Sequence, residues 1–348
     1  MQDAKLISGG STHFMLQDSA GFLFCCGWNA RGQMGPTPPG HEGHSHFTTK
    51  FPFEIQQLDV GQSFSLFLDV NGIVWSCGWN AYGQLGHGDF LDRSLGPVQI
   101  PNLPPIEKIS VKYNHSLALD EDGCVWGFGW NAHGQLAGCT VSVNVNTPTK
   151  FELLPKIQAI AAGYNHSLFL DFEGDVWGCG ELSVPNSETS LVNRPFKIEN
   201  IPKIIQISCG SRFSLLLDFE NNVWSLESGP SKKIEGLPAI HFVASNDASF
   251  CLDFEGNVWT NYNCGSPCRT FQMLTSIPKI RTISCGNKFF HFVDTEGSVW
   301  GCGNNNSSQL GISTNKYYTH TPVKLPNVTF GLTTRLPTKS ARNVHDCK

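Results

Sequence analysis

Charge is scarce in this sequence. Asp, Glu, Lys and Arg make up 15% of its 348 residues, against about a quarter in an ordinary soluble domain. With 24 basic and 29 acidic residues and no run of Lys or Arg, the chain offers no general attraction to phosphate backbones, and direct nucleic-acid binding is not expected. It also has no apolar run of the roughly 18 residues that a membrane helix needs. The start, Met1-Gln-Asp-Ala-Lys-Leu-Ile, has no apolar segment behind a basic one. These absences predict a soluble, intracellular protein, cytoplasmic or nuclear or both, with no membrane partner.

Catalytic chemistry is missing too. No Ser/His/Asp, Cys/His or paired-carboxylate arrangement stands out, so no catalytic residue is assigned and no bond-making chemistry is expected. The Gly-rich segments lack the Lys-Ser/Thr of a phosphate loop, and no helical pattern follows them. Cys264 and Cys268 lie four apart with no second pair at zinc-finger spacing. His41, His44 and His46 sit in a Gly/Pro-flanked insertion that reads as a solvated loop. No metal and no cofactor are expected. The 13 cysteines are an odd number, and Cys26, Cys77, Cys179 and Cys302 recur at one repeat position, which reads as buried, reduced thiols.

Gly and Pro are plentiful, at 35 and 20 residues, as many turns between short strands require, so composition favours an all-β fold. One pattern recurs seven times: Asp, Gly three residues later, an aromatic residue three further on. The copies are Asp18-Gly21-Phe24, Asp69-Gly72-Trp75, Asp120-Gly123-Trp126, Asp171-Gly174-Trp177, Asp218-Asn221-Trp224, Asp253-Gly256-Trp259 and Asp294-Gly297-Trp300. Successive aromatics are 51, 51, 51, 47, 35 and 41 residues apart, which suits one four-stranded blade per copy. Ser167 to Asp171 reads as a strand, Phe172 to Gly174 as a tight turn and Asp175 to Cys179 as the returning strand. The third position needs a positive φ, hence Gly, with Asn221 as the best substitute. The aromatic gives each blade a large apolar body to pack against its neighbour.

Eight residues before each Asp stands Gly10, Gly61, Gly163, Gly210 or Gly286, replaced by Lys112 and Ser245 in the third and sixth copies. Three residues further come His13, Phe64, His115, His166, Phe213, Ala248 and Phe289. An imidazole that alternates with Phe is read as a packing residue. Four copies carry a second loop, as in Gly78-Trp-Asn-Ala-Tyr-Gly-Gln-Leu-Gly86, read as a structured link between blades.

The Gly-Trp-Asn-x-x-Gly-Gln-Leu-Gly loop, the Gly-x-x-His-Ser-Leu strand and the Asp-x-x-Gly-x-Val-Trp hairpin together resemble the regulator of chromosome condensation (RCC) repeat. The resemblance spans residues 5–328 and implies a seven-bladed β-propeller of RCC type. Thr321 to Val328 resembles the strand between repeats, so the ring is expected to close by pairing of the N- and C-terminal strands in a shared blade. Residues 329–348 then read as a polar tail outside the ring.

The resemblance further implies a protein partner, a small GTPase whose nucleotide exchange the propeller regulates. In exchange factors of the family the key acidic and His residues lie in the short Gly-x-x-His loops on one face. The middle positions of those loops here are Ser11-Thr12, Gln62-Ser63, Tyr113-Asn114, Tyr164-Asn165, Ser211-Arg212, Asn246-Asp247 and Asn287-Lys288. Asp247 is the one acid among them. Tyr113, Asn114, Tyr164, Asn165, Arg212, Asp247 and Lys288 are the candidate protein-binding residues, with Tyr113 and Tyr164 as an aromatic anchor pair. Asn114 and Asn165 fall where a carboxylate would suit an exchange factor. That departure keeps a second reading open, a non-exchanging interaction scaffold or targeting module of a larger assembly; on either reading the protein is expected to be monomeric. Trp and Arg in the same loops would suit a light sensor like the plant UV-B receptors, and Tyr-Asn stands there instead.

Overall fold

The computed structural model describes residues 6–18, 20–36, 44–137, 143–182, 191–211, 213–227, 231–263, 266–312 and 316–329. There is no helix among them. Seven antiparallel four-stranded sheets form seven blades, within residues 7–49, 55–99, 106–150, 157–197, 204–233, 240–273 and 280–329. The first strands of neighbouring blades touch each other and line the centre of the ring. The shortest repeat economises on its outer strand, which in blade 5 is only Lys232–Lys233.

Each motif Asp explains why its hairpin forms. Oδ1 of Asp171 accepts the backbone N–H groups of Glu173 and Asp175 at 3.0 and 2.9 Å, and Oδ2 accepts Trp177 Nε1 at 2.9 Å. The buried carboxylate is thereby satisfied by three donors, which offsets the cost of removing it from water. The same bonds recur around Asp69, Asp120, Asp218, Asp253 and Asp294. Asn221 adopts φ +67°, as its position demands. The Gly of the Gly-x-x-His loop has a different duty. A Cβ on Gly61 would lie 2.1 Å from the Phe64 ring, so the aromatic or imidazole three residues on packs directly over a bare Cα.

Core residues lie between blades rather than within them, in seven clusters that each join one blade to the next. The cluster of Ile7, Phe14, Leu16, Phe289, Val293 and Leu325 joins blade 7 to blade 1. Closure takes a different form from the expected pairing of terminal strands. Tyr318–Thr329 pairs with Ser298–Asn304 inside blade 7, and Ile7–Gly9 pairs with His13–Gln17 inside blade 1. Each terminal segment already completes a four-stranded sheet, so the ends meet through apolar burial and a backbone bond from Asn287 N–H to Gly10 O at 2.8 Å. The 329–348 tail falls, but for Thr329, outside the described residues.

The buried imidazoles fasten blades together. His13 Nε2 lies 3.0 Å from Ser65 Oγ of the next blade, and that hydroxyl donates to Gln33 O at 2.6 Å. With its one proton spent on Gln33, Ser65 accepts from His13 Nε2–H, which fixes a neutral tautomer. His115 with Ser167 and His166 with Ser214 repeat the contact at 3.0 and 2.8 Å. The recurring cysteines are buried free thiols, and burial pushes Cys77 and Cys179 up to about 12.

Candidate protein-binding face

The second strand of each blade runs from its Gly-x-x-His loop down to the Asp hairpin, and the third strand returns. The returning strand therefore ends beside the short loop: Trp79 N–H bonds Ser63 O and Trp130 N–H bonds Asn114 O, both at 2.9 Å. This approach is close enough to exclude a side chain, since a Cβ on Gly78 would lie 2.6 Å from Ser63 O. One face, the loop face, thus carries both the short loops and the Gly-Trp-Asn loops. The hairpin tips and the links between blades form the other.

The long loops are rigid. Asn80 Oδ1 accepts Leu85 N–H and Gln84 Oε1 accepts Tyr82 N–H, each at 2.9 Å, and Asn131 and Gln135 do the same one blade on. Rigid loops aim the rings they carry. Tyr113 and Tyr164 stack at 3.6 Å between centroids, and Trp130 meets their edges at 5.8 and 6.4 Å. Tyr82 and His133 flank Trp130 at 6.0 and 5.1 Å, and Trp79 touches Tyr82 at 5.2 Å. All six are partly exposed. Tyr113 holds φ +50°, an uncommon conformation for a bulky residue, and its carbonyl is tied by Gln62 N–H at 2.8 Å.

Two carboxylates border this platform. Glu181, at the end of a blade 4 strand, accepts Asn165 Nδ2 at 2.6 Å and lies 3.5 Å from His133 Nδ1. Asp247 accepts the Ser211 hydroxyl at 2.7 Å. Burial, then the Tyr113 phenol, then Asp247, hold Tyr164 well above the usual phenol range. Lys112 reaches from blade 3 across the centre to blade 6, its Nζ donating to Ser245 O at 3.2 Å. Beside it lies a cavity of about 20 Å³ edged by Tyr113, Tyr164, Ser211 and Asp247, room for about one water.

Of the residues expected from sequence, Tyr113, Tyr164 and Asn165 come together at the junction of blades 3 and 4, and Asp247 lies across the central cavity from them. Asn114 is buried at 3% exposure and presents no side chain to a partner. Lys288 is exposed on blade 7, and Arg212 lies outside the described residues. Sequence reasoning missed Trp79, Tyr82, Trp130, His133, Glu181 and Lys112. A usable signal was the variable fifth position of the Gly-Trp-Asn-Ala-x-Gly-Gln motif, occupied by Arg31, Tyr82 and His133. A larger cleft of about 560 Å³ runs along the last strand of blade 7, but its lining falls entirely within residues 312–326. Among the described residues no three His, Cys, Asp or Glu converge as metal ligands. Of the His-rich insertion, His41 and the side chains of His44 and His46 lie outside the described residues, as do Cys264 and the Cys268 side chain.

Two family models, both described as the regulator of chromosome condensation (RCC1) repeat, match residues 71–119 and 122–170, and residues 55–84, 106–135 and 280–309. A mouse RCC1-like G exchanging factor-like protein is 33% identical over 194 residues, 52% of this chain and 42% of that protein. A bovine secretion-regulating guanine nucleotide exchange factor is 34% identical over 189 residues, 50% of this chain and 40% of its own length. The matched stretch is thus less than half the length of these relatives. Among solved structures, Prp20p from Saccharomyces cerevisiae superposes with a TM-score of 0.75 at 20% identity, covering 87% of this chain and 85% of that one.

Proposed function

Because the chain belongs to the regulator of chromosome condensation repeat family, we propose that it is a protein-binding propeller that regulates a small GTPase, docking it on the loop face. The observation that carries this reading is the platform of Tyr113, Tyr164, Trp130, Tyr82 and His133 between Glu181 and Asp247. The repeat fold does not require these residues. Partly exposed aromatic rings on rigid loops are inexpensive to order on binding and give large contact area. The mouse and bovine relatives are named as exchange factors or exchange-factor-like, and Prp20p is described with binding to Gsp1p and histones. Exchange itself is a coupling between two ligands, nucleotide and propeller, competing for one GTPase.

Glu181 bears on the Asn165 position directly. The loop lacks an acid of its own, yet a carboxylate stands 2.6 Å from its amide, lent by the neighbouring strand. Asn114, being buried, has no such substitute, and this favours the second reading, a scaffold that binds without exchanging.

Release of labelled GDP from a panel of small GTPases, with and without the full chain, tests the proposal. Acceleration for one member, lost in the Tyr113→Ala/Tyr164→Ala variant, is the expected result. No acceleration for any member refutes exchange. A pull-down that the same double variant abolishes would then support the scaffold.

A further inference from the structure

The opposite face carries a pattern of its own, independent of the loop face. The second residue after the motif Asp is Asp122, Glu173, Glu220, Glu255 and Glu296 in blades 3 to 7, against Ala20 and Asn71 in blades 1 and 2. All five acids are exposed. The hairpin does not need them, since the buried Asp before them already accepts the turn N–H groups and the Trp indole. Among the described residues none of the five is in an ion pair; the side-chain contacts of Glu220 and Glu255 are with Asn222 and Asn257 at 3.4 Å.

The first residue after the motif Asp is Phe172, Phe219 and Phe254 in blades 4, 5 and 6. Phe172 is 67% and Phe219 61% exposed, high for rings at the tips of ordered turns. Successive tips are stitched together through the backbone. Ile204 N–H bonds Gly174 O, Phe219 N–H bonds Lys203 O, Ile240 N–H bonds Asn221 O and Ile280 N–H bonds Gly256 O, at 2.8 to 3.2 Å. Acids and rings therefore sit on one rigid arc. Several lysines on this side are engaged by turn atoms: Lys197 and Lys203 with Asp175, Lys279 with Asn257, and Lys156 with the Asp122 carbonyl.

We propose that this arc, from blade 3 to blade 7, is a second docking surface, and that its occupant is a basic segment of a partner protein carrying apolar residues among its Lys and Arg. Unpaired carboxylates at regular intervals match spaced cations, and the two bare Phe rings offer apolar and cation–π contact to the same segment. The same five carboxylates, more numerous than the four lysines beside them, disfavour a phosphate-bearing partner, nucleic acid or anionic membrane. They disfavour a second copy of this acidic face as well.

Fluorescence anisotropy of a labelled peptide repeating Lys-Leu-Lys-Gly, titrated with the full chain at moderate salt, tests the surface. The arc variant Glu173→Gln/Glu220→Gln/Glu255→Gln should weaken binding about tenfold or more, and Phe172→Ser/Phe219→Ser about fivefold. Both should keep the wild-type unfolding midpoint, since all five side chains are exposed or project from tips. Glu227 directly follows the third strand of blade 5, Val223–Leu226, at its loop-face end. Removing as much charge from the loop face, with Glu181→Gln/Glu227→Gln/Asp247→Asn, should change the affinity less than about twofold, and Tyr113→Ala/Tyr164→Ala should leave it unchanged. Equal weakening by the loop-face charges, an unaltered affinity in the Phe variant, or no binding by the wild type would each overturn the proposal.

Discussion

The His13→Phe variant isolates what a buried imidazole does to this ring. His13 has no exposed surface, and burial lowers it to about 3 from an ordinary value of 6.5. Its Nε2–H is committed to Ser65 and its Nδ1 has no partner. A base whose folded pKa is depressed takes up its proton first in the unfolded chain as pH falls. Stability is therefore intact above about 6.5 and is lost as pH drops from there towards 3, at about 1.4 kcal/mol per pH unit. By pH 5 the loss from His13 alone is about 2 kcal/mol. Phe at this site forgoes the bond to Ser65, worth about 1 kcal/mol, while Ser65 keeps Gln33 O; Phe64 and Phe289 already fill the equivalent place elsewhere. The wild type should therefore be more stable by about 1 kcal/mol at pH 7.5 and less stable by about 1 kcal/mol at pH 5, with the curves crossing near pH 6. Urea midpoints followed by Trp fluorescence at several pH values would measure this. Parallel curves would refute the argument, because they would mean that His13 titrates alike in the folded and unfolded chain.

Two further substitutions test the hairpin. Trp177→Phe removes the indole donor to Asp171 while keeping the ring, and should lower stability by about 1.5 to 3 kcal/mol, read as a fall in the thermal midpoint; Phe24 in the first copy shows that the position accepts the ring. Asn221, at φ +67°, should tolerate Gly to within about 0.5 kcal/mol but lose about 1 to 2 kcal/mol as Ala, because Ala has no polar side chain to offset the left-handed backbone. Equal urea midpoints for Asn221→Gly and Asn221→Ala would contradict that account.

The parts legible from sequence are those that local physics fixes. Asp, Gly and Trp at constant spacing specify one hairpin each, because the bonds that hold it lie within six residues of the Asp. The packing role of His13, His115 and His166 was equally readable from their exchange with Phe. Contacts between distant segments were not. Lys112 reads as a lost Gly, yet its ammonium crosses the ring to Ser245, 133 residues away. Asn114 and Asn165 are identical in motif, but one is buried and the other holds Glu181. The closure of the ring was misplaced for the same reason: strand counting cannot say which neighbour an end strand pairs with when both terminal blades can complete themselves.

The distribution of core and variation explains where function can reside in such a ring. Each of the seven apolar clusters joins only two blades, so each interface draws its burial from its own residues. An exposed loop residue at one junction can then change without loosening the others. Blade 3 shows the consequence: Lys112 replaces the usual Gly, Tyr113 adopts a left-handed backbone, and Trp130 and His133 fill the long loop above them, while His115 keeps its bond to Ser167 beneath. Gathered at blades 3 and 4 over an unaltered His–Ser contact, these loop residues place the proposed docking platform where a change of loop residues leaves the bond that fastens the two blades in place.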